Sequence, residues 1–185
     1  MQEVGNILRI FQDTKKAVEQ GDTVQIKILS NQTNNTASMT GDPDNIAVAV
    51  IVYSLSKIIE RENYKSLPGW KNFYNLYMKS IDGIIVSLKN KDEAKARKYL
   101  EAIRIGIDRI SGKLREYIQD VFRNASINKA SKLYEHGISM ERTSKLLGVT
   151  MFELASYAGQ RTDDFPKTQT QDIRQRIKVA EDMFR

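Results

Sequence analysis

Apolar residues recur at helical spacing over most of this chain, and that recurrence constrains its fold more than any single motif does. Trp70, Phe73, Tyr74, Tyr77, Met78, Ile81, Ile84, Ile85 and Leu88 fall three and four positions apart, the spacing that lines one side of an α-helix. After Asn90-Lys91-Asp92 the pattern resumes with Tyr99, Leu100, Ile103, Ile107, Ile110, Leu114, Tyr117, Ile118, Val121 and Phe122, which predicts one long helix. Aromatic and aliphatic stripes of this kind form core faces far more often than cofactor boxes. Upstream, Val4, Ile7, Leu8, Phe11, Ala17 and Val18 give an amphipathic first helix that ends near Gly21. The run IAVAVIVYSLSKIIERE after Asp44 is apolar on nearly all sides before it turns amphipathic, so it should occupy the middle of the core.

One segment resists this reading. In residues 22–38, Val24, Ile26 and Ile28 alternate as a strand would, yet no second strand exists to pair with them and Asp22 can cap a helix. A helix is expected there, with residues 31–36 able to fray into a loop around 41–44. The fold class that follows is all-α: an antiparallel helical bundle (1–124), a helix-turn-helix unit (125–160), a linker (161–171) and a C-terminal tail helix (172–185).

Residues 126–160 read as three short capped helices. Ser139 is a plausible N-cap, and Met140, Thr143, Ser144 and Leu147 share one face of the run that follows. Gly148 can supply the left-handed conformation that a tight inter-helix turn needs, and Val149 can plug the corner. Thr150-Met151-Phe152-Glu153 has the form of a capping box, and Leu154, Tyr157 and Ala158 continue a buried face. Helices that read DNA sequence present Arg, Lys, Asn or Gln to base edges. The run 151–158 offers Glu153 and Ser156 as polar side chains off its buried face, so the side chains that hold the phosphate backbone would come from the flanks: Lys129, Lys132, Arg142, Lys145, Gln160 and Arg161.

Composition narrows the function classes. The 185 residues include 41% hydrophobic and 28% charged residues, ordinary for a folded protein, and no cysteine, which removes disulfides, thiol nucleophiles and thiolate metal sites. The start of the chain lacks a basic-then-apolar signal, and the longest apolar run (46–53) is far shorter than the roughly 20 residues a span requires, so a cytoplasmic protein without membrane contact is expected. A net charge of +6 is compatible with polyanionic partners. Along residues 91–116, however, the bases are interleaved with Glu93, Glu101, Asp108 and Glu116, the pattern of a solvated, ion-paired helix face. The single histidine, His136, stands before Gly137 where it can end a helix. There is no histidine pair, no Gly-rich phosphate loop and no acid–base constellation. Asp42 and Asp44 would lie about 25 Å from Glu60 and Glu62 along the intervening helix. No enzyme activity, cofactor or metal is expected.

The end of the chain is polar up to Gln171, with Pro166 inside it. Beyond, Ile173, Ile177, Ala180, Met183 and Phe184 make an apolar stripe that could fold back on the bundle or enter a groove on a partner protein.

The segment KASKLYEHGISMERTSKLLGVTMFELASYAGQ, residues 129–160 of the 185, resembles the helix-turn-helix core of small prokaryotic antitoxin-like proteins encoded beside PIN-domain ribonucleases, in which a short helix, Gly-Ile-Ser and a Leu-Gly-Val turn recur. The whole chain is also similar in helical layout to archaeal all-helical proteins. The antitoxin resemblance implies that the helix-turn-helix binds double-stranded DNA of its own operon while the remainder engages a PIN-type ribonuclease. Carried over, it implies that Ser139, Arg142 and Lys145 face phosphate and that Thr150, Met151, Phe152 and Ser156 face the groove. Ile173, Ile177, Met183 and Phe184 of the tail would then meet the partner. The expected function is a non-enzymatic DNA-binding regulator, able to self-associate as a homo-oligomer. The alternative is a helical interaction or adaptor protein that does not bind DNA.

Overall fold

A computed structural model describes residues 1–61 and 64–161 of the chain, apart from the side chains of residues 34, 35, 38, 160 and 161. Among the described residues there are eight α-helices and no strand: α1 (Val4–Glu19), α2 (Thr23–Thr40), α3 (Pro43–Glu60), α4 (Trp70–Lys89), α5 (Glu93–Asp108), α6 (Gly112–Glu135), α7 (Met140–Leu147) and α8 (Met151–Arg161). The run that is apolar on all sides became α3, and it is the hub. It packs against α1, α2, α5, α6 and α7, and buries Ile46, Val48, Ala49, Ile51, Val52, Leu55 and Ile58. Its start is set locally: Asp42 accepts a hydrogen bond from the Asp44 N–H at 2.9 Å, and Pro43 fills the first helical position, where no N–H is needed.

The ambiguous segment is wholly helical. Asp22 accepts from the Gln25 N–H at 2.8 Å to open α2, and Gly41, at φ 58°, closes it. The strand-like alternation of Val24, Ile26 and Ile28 is a consequence of a narrow buried stripe. Ile26, Leu29, Ser30, Thr33 and Ala37 face the core while Val24 and Ile28 stay exposed. Residues 31–36 do not fray, because that stripe runs through them.

The long helix expected after Asp92 is two helices. The chain breaks at Arg109–Ser111 and restarts at Gly112, whose φ of 61° interrupts the α5 path. Apolar spacing passes through the break because Ile107 and Leu114, on either side of it, bury in the same core. α4 and α5 approach closely, with Gly83 beneath the Tyr99 ring and Gly106 beneath Leu76, where a Cβ would overlap its neighbour. No helix among the described residues is long and apolar enough to cross a membrane.

α6 corrects a second expectation. Its 24 residues run without interruption across positions 124 and 125, so the first of the three short helices is the C-terminal part of α6. That helix ends at His136, whose backbone N–H donates to the Lys132 carbonyl at 3.1 Å. Two small satellite cores hang on this end. Ala37, Ile46 and Leu133 join Ile138, Leu146 and Leu147, and Ala130, Val149 and Leu154 join Ile127, Met140 and Leu147. Through them α7 and α8 are fastened to α2, α3 and α6.

Candidate functional site

The caps that the sequence implies build the α7–turn–α8 unit. Ser139 accepts from the Arg142 N–H at 3.3 Å to open α7. Gly148 sits in the left-handed region at φ 64° and its N–H returns to the Ser144 carbonyl. Val149 is buried against Ala130 and Leu154, and so fills the corner between the helices. The capping box is closed in both directions: the Glu153 N–H donates to the Thr150 hydroxyl at 3.1 Å, and the Thr150 N–H donates to the Glu153 carboxylate at 2.9 Å. These bonds from Thr150 hold the Glu153 carboxyl below the usual carboxylate range, and an ion pair with Arg123 adds to the effect. Asn128 donates to the Tyr157 hydroxyl at 2.9 Å, so α8 lies alongside α6 in the same direction, with 153 beside 123 and 157 beside 128.

Most of the side chains expected to face nucleic acid are already engaged. Ser139 and Thr150 serve as caps. The Arg142 guanidinium lies against Gly41 at the carbonyl end of α2, where the helix dipole favours a cation. Lys145 pairs with Glu141 at 2.7 Å and Lys132 with Glu135 at 2.6 Å. Lys129, expected among the phosphate-holding flanks, is instead 1% exposed and cannot reach a ligand on the surface. Its ammonium donates to the Ser30 carbonyl at 3.3 Å and stands 4.6 Å from the centre of the Tyr53 ring. Burial lowers its pKa from the ordinary lysine value to about 7, with the charge of Lys132 contributing in the same direction. The side chain of Arg161, and all of Ile173, Ile177, Met183 and Phe184, lie outside the described residues.

What α8 does present is an uncharged face. Met151, Phe152, Ala155, Ser156 and Gly159 are all exposed and recur at i, i+1, i+4, i+5 and i+8, one continuous side of the helix. Phe152 is 81% and Met151 53% exposed, which is unusual for side chains of that size. Ala155 and Gly159 were not singled out from sequence. The signal that could have found them is small residues one and two turns beyond an aromatic that has no place in the buried stripe of Leu154, Tyr157 and Ala158.

A furrow of about 760 Å³ borders the same unit, between α3, α5, α6 and the turn at Gly148, with Val50, Leu100, Phe122 and Val149 among its apolar lining. Arg97, Arg104 and Arg123 on its rim are each paired with an acid, namely Asp44, Glu101 and Glu153. The furrow therefore carries no surplus cation for an anionic ligand among these three.

No protein-family model matches this chain, and neither the curated proteins nor the solved structures contain a match to it.

Proposed function

We propose that this chain is a non-enzymatic protein-interaction module in which a helical bundle carries a helix-turn-helix and offers the outer face of α8 as a docking helix. The observation that carries this reading is the α8 surface itself: five exposed positions on one side of the helix, none of them charged, with Phe152 and Met151 at its head. Apolar side chains held in the open on a rigid helix suit a protein groove. They do not suit a phosphate backbone, whose contacts come from cations and polar donors. Arg123 is paired with Glu153 of α8 itself, Lys145 is paired with Glu141, and the Arg142 guanidinium lies against Gly41 at the carbonyl end of α2.

A DNA-binding regulator is the second reading, favoured by the capped α7–turn–α8 arrangement and by the net charge of +6. Amide chemical shifts recorded while duplex DNA is titrated in, at low and near-physiological salt, separate the two. The docking reading expects residues 151–159 to stay unperturbed once salt has removed non-specific phosphate contacts. Shifts confined to α8 that depend on DNA sequence and survive the higher salt would overturn it in favour of the regulator.

A further inference from the structure

A second pocket, of about 600 Å³, lies at the opposite end of the α4–α5 pair from the connection at Asn90, where α5 breaks and α6 begins. Leu67, Phe73, Leu76, Ile110 and Leu114 give it an apolar wall. Its charged lining is Arg109 and Lys113, with no acid among the lining residues. Neither of these cations makes an ion pair with a described residue, whereas the three arginines on the rim of the furrow beside Gly148 are each paired. The pocket is therefore electropositive by the side chains that line it.

The backbone adds to that charge. α4 and α6 both begin at this pocket, and they begin side by side: a Cβ on Gly69, ahead of α4, would stand 3.6 Å from Leu114 in the first turn of α6. Neither helix has a side-chain cap or an acid in its first turn, and each has a lysine there instead, Lys71 and Lys113. A cation in the first turn opposes the positive end of the helix, so both placements are locally unfavourable. Such a broken rule is accounted for when an anion is supplied from outside. Leu114 sharpens the point. The residue is 1% exposed and no side chain caps its turn, so its N–H has lost water without an acceptor among the described residues.

We infer that this pocket binds a small phosphate monoester, its phosphate held by Arg109, Lys113 and the amino end of α6 and its apolar remainder laid against Leu67, Phe73 and Leu76. A phosphate carries the charge and the several acceptor oxygens that two cations and orphaned N–H groups require together. The volume falls within the roughly 300–1,000 Å³ of small-molecule sites. The inference is independent of the α8 face, which lies on a different part of the molecule.

Amide chemical shifts of the full chain, recorded at near-physiological salt during titration with phenyl phosphate, inorganic phosphate and phenol, test it. The comparison protein is the double variant Arg109→Gln/Lys113→Gln. Both side chains are exposed and unpaired among the described residues, and removing Lys113 relieves its conflict with the helix dipole, so the variant keeps its fold. The expected result is saturable shifts from phenyl phosphate confined to residues 67–76 and 109–114, with weaker binding of inorganic phosphate and no response to phenol. The double variant should lose affinity by about tenfold or more. Phenyl phosphate without a saturable response at these residues overturns the inference, as does affinity undiminished in the double variant or a response spread equally over the other helix starts. Equal binding of phenyl and inorganic phosphate overturns the apolar remainder. None of these results bears on the docking reading, which is decided by the DNA titration of residues 151–159.

Discussion

Replacing Lys129 by methionine should make the protein more stable, and by an amount that depends on pH. The ammonium is buried against the Ser30 carbonyl and the Tyr53 ring. The same ring has a second cation, Lys57, 5.9 Å from its centre, and Lys132 on α6 adds like charge. The acids nearest in sequence to those two lysines, Glu60 and Glu135, are paired with them rather than with Lys129. A fall from the ordinary value of about 10.4 to about 7 corresponds to roughly 4–5 kcal/mol of penalty on the buried charge. The sign follows from proton counting. Below pH 7 both folded and unfolded states hold the proton and the full penalty is present. Between pH 7 and about 10.4 the unfolded state holds it and the folded state does not, so stability rises with pH through that window. Methionine is unbranched and of similar length, and it carries no charge. The Ser30 carbonyl is not orphaned by the change, because the Thr33 hydroxyl also donates to it at 2.6 Å. Urea unfolding followed by circular dichroism at pH 6 and pH 9 should show the wild type gaining about 2–3 kcal/mol from this residue, a gain that Lys129→Met lacks. Every other titrating group is common to both proteins, so the difference between them isolates Lys129. Parallel pH dependences would refute the reasoning, and a methionine variant less stable at pH 6 would show that the carbonyl and the ring outweigh desolvation.

Three further outcomes follow from the α7–α8 unit. Gly148→Ala should cost about 1–2 kcal/mol, because the Cβ meets open space and the loss is the backbone strain of φ 64° alone; thermal melting would show it as a drop of a few degrees. Thr143→Val should stabilise by about 1 kcal/mol in urea unfolding, since the Thr143 hydroxyl is buried without a hydrogen-bond partner and valine keeps its shape. Thr150→Ala should cost about 1 kcal/mol, and the same loss should shrink in a Glu153→Ala background, because the two residues cap each other; additive losses in that double-mutant cycle would contradict the box.

What the sequence made legible was local. Ser139, Gly148 and the Thr150–Glu153 box act on backbone groups within four residues of themselves, so their chemistry reads directly from the order of residues. The hub role of α3 was equally readable, because a helix that is apolar all round has nowhere to go but the centre. The break at residues 109–111 was hidden because hydrophobic spacing reports which side faces the core and not whether the backbone is continuous. Ser111 and Gly112 were the available signal. Lys129 was misread for a different reason: a lysine's charge argues for solvent, and its burial is decided by a carbonyl 99 positions earlier and a ring on a third helix. The face of α8 was half legible. Its lack of cations could be seen in the letters, whereas its exposure depended on how α6 and α7 took up the opposite side.

The continuity of α6 has a mechanical consequence. A helix of 24 residues is a strut about 36 Å long, with one end set in the main core at Leu114 and Ile118 and the other carrying Ala130 and Leu133 beneath α7 and α8. With no hinge between those ends, a load applied at Phe152 is delivered as torque on the bundle, and whatever grips α8 sets the aim of the whole molecule.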